Sequence, residues 1–402
     1  PRRAQGNTGL GQVKIEIIHA HGQGSKAFSA KVGTGFAVRK CSPHIGRTHR
    51  FAIFAVYERL ETAKRIFALR HTITAILATG LLCGLALLLM LAPLWRGFDA
   101  LREIWPILLI IGGIAAGSIL ANRHRGARLL SLAAFAVILL PGIGETFDAW
   151  RSEPVAPSPG AYEISIGTHN LWGRNASPMQ AATLLPPRAP DVLALQESFG
   201  RARETGEALV AQYAHNARCR SNRLLSNLPI VASGCVELPP AVLAAATIPC
   251  DWEMPPAVWA RILLPDGSEA VFVSVHLTWP FPGATQDCQR RGLSRALAHW
   301  PQDRLVVMGD FNAASPAYAL SRLERDLGLT RRSIGIATFP AEGRFQQAGL
   351  GIPPFAPMLL GIDHIFAGEA WQTVSIEAGP NTGSDHRPLL AVLRLQSESA
   401  QP

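Results

Sequence analysis

The residues of this chain that can do chemistry collect where short apolar runs end. Asn170 follows the run 163–168, in Thr168-His169-Asn170-Leu171-Trp172, and Gln196-Glu197 closes the run 192–196. His276 ends Val273-Ser274-Val275-His276, and Gly309-Asp310-Phe311-Asn312 follows Leu305-Val306-Val307-Met308. Asp363-His364 opens the run that continues as Ile365-Phe366, and Ser384-Asp385-His386-Arg387-Pro388 precedes the last run. Singly such residues are ordinary, since a Gln-Glu pair after a strand is commonly a solvated terminus and one His among apolar residues a packed one. Together they form a set of carboxylates, carboxamides and imidazoles without cysteine, which suits Mg²⁺ or Mn²⁺ rather than zinc. A metal, a base for water and donors for phosphoryl oxygens are the parts that phosphoester hydrolysis needs.

The elements that must position these groups are short and β-rich, at 163–168, 192–196, 224–231, 258–264, 270–275, 305–308, 362–366, 373–378 and 389–395. Helical segments alternate with them. Ser177-Pro178 and Ser315-Pro316 each read as an N-cap followed by proline at the first helical position, and 286–299 as an amphipathic helix. Such a mixture over residues 162–402 predicts an α/β fold, a two-sheet sandwich with outer helices, without internal repeats.

The ordered series Asn170, Gln196-Glu197, Ser226-Asn227-Leu228-Pro229-Ile230, His276, Gly309-Asp310-Phe311-Asn312, Asp363-His364 and Ser384-Asp385-His386-Arg387-Pro388 resembles the signature of the endonuclease/exonuclease/phosphatase superfamily. The resemblance runs from Glu163 to the end of the chain and implies the four-layer, deoxyribonuclease-I-like sandwich. It implies Glu197 as principal metal ligand with Asn170 and Asp385 near the same ion, and Mg²⁺ or Mn²⁺ as that ion. It implies His386 as general base oriented by Asp363, Asp310 and Asn312 as the groups placing water and phosphate, and His276 at the phosphoryl group or leaving oxygen. An imidazole with a carboxylate partner is held in one tautomer and made more basic, which suits those roles. The basic and lipid-binding loops of better-known members have no clear counterparts here. Trp279-Pro280-Phe281-Pro282 reads either as an aromatic wall beside the site or as a packed loop, and Arg387 either as a phosphate clamp or as a structural ion pair.

Hydrophobic residues make up 48% of the 402 and charged ones 17%, with the apolar excess at 71–144. The uncharged runs 72–91, 104–121 and 129–144 are predicted to be three transmembrane helices, the first two near the roughly 20 residues a bilayer requires. Lys64, Arg65 and Arg70 before the first run, and Arg123, Arg125 and Arg128 between the second and third, place those flanks on the cytoplasmic side. The sandwich is then expected outside the cytoplasm, attached to the inner (plasma) membrane by a multi-pass unit, and periplasmic in a Gram-negative cell. Residues 61–150 are the expected membrane domain and 151–161, with Pro154 to Gly160, a Pro-rich linker. Residues 1–60 are Gly-rich and basic, and read as a disordered or mis-annotated extension, with initiation at a codon such as that of Val56 or Leu60.

Of the net charge of +9, about +10 lies in residues 1–72, +1 in 73–159 and −2 in the rest, where every cation is arginine. A near-neutral sandwich lacks the basic footprint of a tight nonspecific DNA binder. The substrate class stays open among lipid, small-molecule and nucleic-acid phosphoesters, with the bilayer as the one other expected partner. A catalytically silent, membrane-tethered binding module is the competing reading. Cys219, Cys235, Cys250 and Cys288 read equally as one or two disulfides or as buried free thiols.

Overall fold

The computed structural model describes residues 13–16, 29–32, 47–94, 96–120, 125–151, 162–185, 189–238, 240, 254–281, 283–347 and 358–396. The chain divides into two compact units, Pro1–Arg70 and His71–Pro402. In the first, β1 (Val13–Glu16) pairs antiparallel with β2 (Ser29–Val32), in a stretch where the sequence reading placed no fold.

Four helices follow: α1 (Arg47–Leu91), α2 (Arg96–Glu103), α3 (Trp105–Leu120) and α4 (Arg125–Arg151). Leu82 and Leu89 of α1, Leu108 and Ile119 of α3, and Ala134 and Ile138 of α4 form their shared core. Large apolar side chains also point outward, among them Ile76, Leu77, Ile114, Leu129 and Ile143. Among the described residues two helices are long and apolar enough to cross a membrane, Glu58–Leu91 and Arg125–Glu145, and they contain the expected first and third spans. The expected second span falls on α3, a shorter apolar helix of 16 described residues next to residues 121–124, which lie outside the description. The Pro-rich connector lies outside the described residues.

The second unit continues with β3 (Glu163–Asn170), α5 (Met179–Leu184), β4 (Val192–Gln196), α6 (Arg203–Val210), β5 (His215–Cys219), β6 (Asn222–Ser226), β7 (Ile230–Cys235), β8 (Ala257–Leu263) and β9 (Glu269–His276). Then come α7 (Gly283–Leu297), β10 (Leu305–Asp310), α8 (Tyr318–Leu327), β11 (Thr330–Arg331), α9 (Glu342–Gln347), β12 (Asp363–Ala367), β13 (Trp371–Ala378) and β14 (Leu389–Leu395). The strands form two six-stranded sheets, ordered β13-β14-β3-β4-β6-β5 and β11-β12-β10-β9-β8-β7.

Three apolar layers make this a four-layer sandwich. Ile164, Ile166, Val192 and Leu224 of one sheet meet Val258, Ile262, Phe272, Val306 and Met308 of the other. The opposite faces of the central strands are apolar too, so Val273, Leu305 and Val307 pack on Leu293 and Leu297 of α7 and Leu320 and Leu323 of α8. Leu193, Leu195 and Leu225 likewise pack on Leu185 and Leu209 beside α5 and α6. Each such side chain taken fully out of water contributes about 1.5–3 kcal/mol. The Cys219–Cys235 disulfide joins the edge strands β5 and β7 of different sheets, and Cys288 is also disulfide-bonded. Cys250 lies outside the described residues.

Three local expectations change. The single run at 224–231 is two strands, because Asn227-Leu228-Pro229 turns the chain out of one sheet and into the other. At Ser177-Pro178 the helix starts at Met179, and Ser177 contributes its carbonyl to Gln180 N rather than a capping hydroxyl. At Ser315-Pro316, a cis peptide, α8 starts only at Tyr318 without a side-chain cap from its own Ala317.

Candidate active site

Strand register assembles the site before any side chain is considered. In the second sheet His276 pairs across parallel strands with Asp310, and Asp310 across antiparallel strands with Asp363, so three chemical groups share one row. In the first sheet Asn170 stands opposite Gln196, with Glu197 next in the chain. Both rows lie at the same edge of the sandwich. Gly309 permits the close pairing: at φ 153° its added Cβ would lie 1.9 Å from Val275 O, so no other residue fits there.

All eight residues expected from the sequence meet at this edge, four of them around one oxygen of Asp310. Asp310 Oδ2 accepts from Asn170 Nδ2 at 2.9 Å and from Asn312 Nδ2 at 3.4 Å. His276 Nε2 lies 3.6 Å from it and His386 Nε2 3.7 Å. Glu197 Oε1 is 3.9 Å from His276 Nε2 and receives Asn170 Nδ2 at 3.3 Å, while Oε2 receives the Gly173 N–H at 2.9 Å. Asp385 Oδ1 stands 3.9 Å from His386 Nε2. Among the described residues, three of the four non-glycine residues with positive φ are Trp172, Glu197 and Asn312. Each such conformation costs on the order of 1–3 kcal/mol, and strain gathered at a strand edge re-aims side chains into a common space.

His386 and Asp363 form the tightest pair. His386 Nδ1 lies 2.8 Å from Asp363 Oδ2, which also accepts the Thr338 hydroxyl at 2.6 Å. Burial alone would depress the imidazole, but Asp363, Asp310 and Asp385 together outweigh it and raise its pKa to about 10. Burial works against ionising Asp363 as well, yet the His386 partnership and the Thr338 bond hold it below the usual carboxylate range. Burial, with Glu197 and Asp310 nearby, pushes Asp385 up to about 6. Asp310 is raised by burial, against the pull of His386.

The donor set fits a divalent cation. Among the described residues Asp385 Oδ1 is buried without a hydrogen-bond partner, and four carboxylates converge where Arg344 approaches Asp385 no closer than 3.8 Å. Ligand atoms of Asp310, Asp363 and His386 also lie within 4.8 Å of one another, which makes a second candidate metal group. In that group Asp363 Oδ2 and His386 Nδ1 already satisfy each other, while Asp363 Oδ1, like Asp385 Oδ1, has no hydrogen-bond partner among the described residues. Asn170 stands beside Glu197 and Asp310 with its Oδ1 receiving the Trp172 N–H at 2.9 Å, so its amide nitrogen is the group turned to the carboxylates.

Supporting residues surround these groups, and among them Gln286 and Gln289 gave no site signal in the sequence. Gln286 of α7 donates to Thr278 O, Phe311 O and Asn312 O, and Gln289 receives the Thr278 N–H, tying together the loops after His276 and Asp310. Ser384 Oγ bonds Asn170 O at 2.7 Å. Gln196 is wholly buried and reaches Thr168 and Ser274, binding sheet to sheet. His169 and His364 are interior groups, each lowered by burial to about 3. Arg387 pairs with Glu342 and donates to Gly379 O, which makes it structural. Phe339 packs 5.1 Å from the His386 ring and meets Trp279 edge-on at 6.4 Å. Trp279 and Phe281 are 59% and 58% exposed, so the loop after His276 is a wall that faces solvent.

Comparison with known proteins follows this geometry. A structure titled endonuclease/exonuclease/phosphatase from Beutenbergia cavernae DSM 12333 is 19% identical, with 58% of this chain and 72% of that one covered and a TM-score of 0.44. Sphingomyelinase C from Streptomyces griseocarneus is 16% identical over 58% and 99%, with a TM-score of 0.43. A mutant beta toxin from Staphylococcus aureus with bound magnesium ions is 11% identical over 59% and 100%, with a TM-score of 0.41. No curated protein matches the chain. Residues 167–386, more than half of the sequence and the stretch that holds all eight site residues, match the Endonuclease/Exonuclease/phosphatase family, and the chain belongs to it.

Proposed function

We propose that the protein is a membrane-anchored, divalent-metal-dependent hydrolase of phosphoester bonds. The observation that carries this is the convergence of Asn170, Glu197, His276, Asp310, Asn312, Asp363, Asp385 and His386 at one edge of the sandwich, with Asn170, Asn312, His276 and His386 around Asp310 Oδ2. Glu197 and Asp385 would hold Mg²⁺ or Mn²⁺, which when bound supplies Lewis-acid polarisation of a phosphoryl oxygen and offsets the carboxylate charge that keeps His386 protonated. His386, with Nδ1 committed to Asp363, presents Nε2 to take the proton of the attacking water. Asn312, whose backbone N–H is held by Asp310 Oδ1 at 2.8 Å, is a neutral donor beside that position. His276, its Nε2 3.6 Å from Asp310 Oδ2, serves the phosphoryl group or the leaving oxygen.

The exposed Trp279 and Phe281, with Phe199 50% exposed two residues after Glu197, favour an amphiphilic or small phosphoester over a polyanion. Outward apolar side chains on α1 and α4 support membrane anchorage, the arginines flanking them a sandwich outside the cytoplasm, and the Cys219–Cys235 disulfide an oxidising compartment. The test is the full chain in detergent, assayed on soluble and micellar phosphodiesters and phosphomonoesters with and without Mg²⁺. Metal-stimulated hydrolysis in at least one class is expected. A protein that binds Mg²⁺ but cleaves none of them would be the silent binding module instead.

A further inference from the structure

The turn that carries Asp310 and Asn312 is held from two directions. The sandwich supplies one: Gln286 takes the carbonyls of Phe311 and Asn312, His364 Nε2 lies 2.9 Å from Ala313 O, and Gly361 O receives the Ser315 N–H. The other comes from residues ahead of the family-matched segment. Glu103, the last residue of α2, accepts the Ala314 N–H, two residues beyond Asn312. Asp99 of the same helix accepts the N–H groups of Tyr318 and Ala319 at 2.9 and 3.1 Å, and so caps α8, whose own chain provides no cap. The Arg102 guanidinium lies 3.8 Å over the Tyr318 ring. From α4, Glu145 bonds the buried Arg331 at 2.8 Å, and Arg331 bonds Ser315 Oγ at 2.7 Å.

Burying carboxylates is expensive unless donors meet them, and Asp99 and Glu103 are each only 6% exposed. A simple tether needs no such arrangement. Three acidic side chains from the helical segment all end on residues 314–331, which directly continue the Asp310–Asn312 turn. We propose that α2 and the end of α4 are an intramolecular clamp on this turn, so that the apolar helical segment is a working part of the site. Glu103, Asp99 and Glu145 are then positioning residues. The inference rests on the proposed hydrolytic role of Asp310 and Asn312, and its geometry can be tested apart from that role.

The experiment compares Glu103→Ala with Glu103→Gln in the full chain, in detergent, by amide hydrogen exchange and by steady-state kinetics on a soluble phosphodiester with Mg²⁺. Glu103→Ala strips the Ala314 N–H of its acceptor. Leaving a buried N–H without its acceptor is worth about 10- to 100-fold in a local opening equilibrium, so exchange across 311–319 should accelerate by that factor. Exchange in β3 and β14 should not change. The kcat should fall at least about tenfold with KM within about twofold, because the turn is misplaced while the rest of the site stays intact. Burial holds the Glu103 carboxyl well above its usual range, so a neutral acceptor suffices and Glu103→Gln should stay within about threefold of the parent. Should Glu103→Ala not fold, Glu145→Ala, at a less buried pair, reads the same segment and should accelerate exchange there. Unchanged exchange in 311–319 overturns the clamp, as does protection lost evenly through the sandwich or a Glu103→Gln variant as damaged as Glu103→Ala. A parent protein without hydrolysis, but with the exchange response, supports the clamp and rejects the hydrolytic reading alone.

Discussion

Asp363→Asn isolates what the carboxylate does for His386. The substitution keeps the volume of a wholly buried side chain and can retain the Thr338 bond, but removes the charge from the partner 2.8 Å from His386 Nδ1. Unit charges about 4 Å apart interact by about 4 kcal/mol at an effective dielectric of about 20, an upper bound near three pKa units. Asp310 and Asp385, 3.7 and 3.9 Å from Nε2, remain and still favour the imidazolium. The expected result is a His386 pKa lowered by about one to three units from its value near 10 in the metal-free protein, followed by imidazole NMR. The sign carries through to catalysis. Neutral imidazole then persists to lower pH, so the acid limb of kcat/KM moves to lower pH. The plateau should fall by about 10- to 10³-fold, because the ring loses its fixed tautomer. Stability gives a second readout. A folded pKa raised above 6.5 contributes stability that is complete below pH 6.5 and lost as pH rises through about 10. Thermal melts of metal-free parent and variant should therefore differ at pH 6 and converge towards pH 10. An acid limb that stays in place or moves to higher pH would refute the reasoning.

His386→Ala should leave Mg²⁺ binding intact by calorimetry while turnover falls by about 10² to 10⁴, and unchanged turnover would sink the proposed base. Glu197→Gln should instead weaken metal affinity, so that raising Mg²⁺ restores part of the lost rate; a deficit unmoved by Mg²⁺ would remove Glu197 from the ligand set. Replacing Cys219 and Cys235 by serine opens a link across 16 positions and should cost about 3 kcal/mol in denaturant titrations, since the bond restrains the unfolded chain. Phosphatase or fluorescent-protein fusions after Pro402 should report an extracytoplasmic C-terminus, and a cytoplasmic signal would reverse the proposed orientation.

The sandwich could be read from the chain because its central strands are buried on both faces. Val192–Gln196 and Leu305–Asp310 are buried without interruption and apolar up to their ends, and no solvated face blurs them. The edge strand β5 escaped for the opposite reason: His215-Asn216-Ala217-Arg218-Cys219 buries only Ala217 and Cys219, so its alternation looks like loop composition. Joining 224–231 into one strand ignored the Pro229 signal, since Leu224-Leu225 and Ile230-Val231 look continuous when hydropathy alone is weighed. Among the apolar helices, α4 extends beyond the apolar run 129–144 at both ends, because helical backbone hydrogen bonding continues where hydropathy stops.

The same contrast divides the site. Residues proposed to act with their own functional groups stand out in the sequence, since each chemistry demands a particular side chain, and strand register brings His276, Asp310 and Asp363 into one row. Residues that act by holding backbone could not be found that way. Any acceptor satisfies an N–H and any donor a carbonyl, so Gln286 reads as one more polar residue on an amphipathic helix, and Thr338 as one more loop hydroxyl. Glu103 is the extreme case, 211 positions from Ala314 and placed between two apolar helices, where a charge is expected to face water. Sequence reading therefore points to candidate reacting groups more readily than to those that aim them, and the aiming must be tested by pairs of variants such as Glu103→Gln and Glu103→Ala, of which one keeps a hydrogen-bond acceptor and the other removes it.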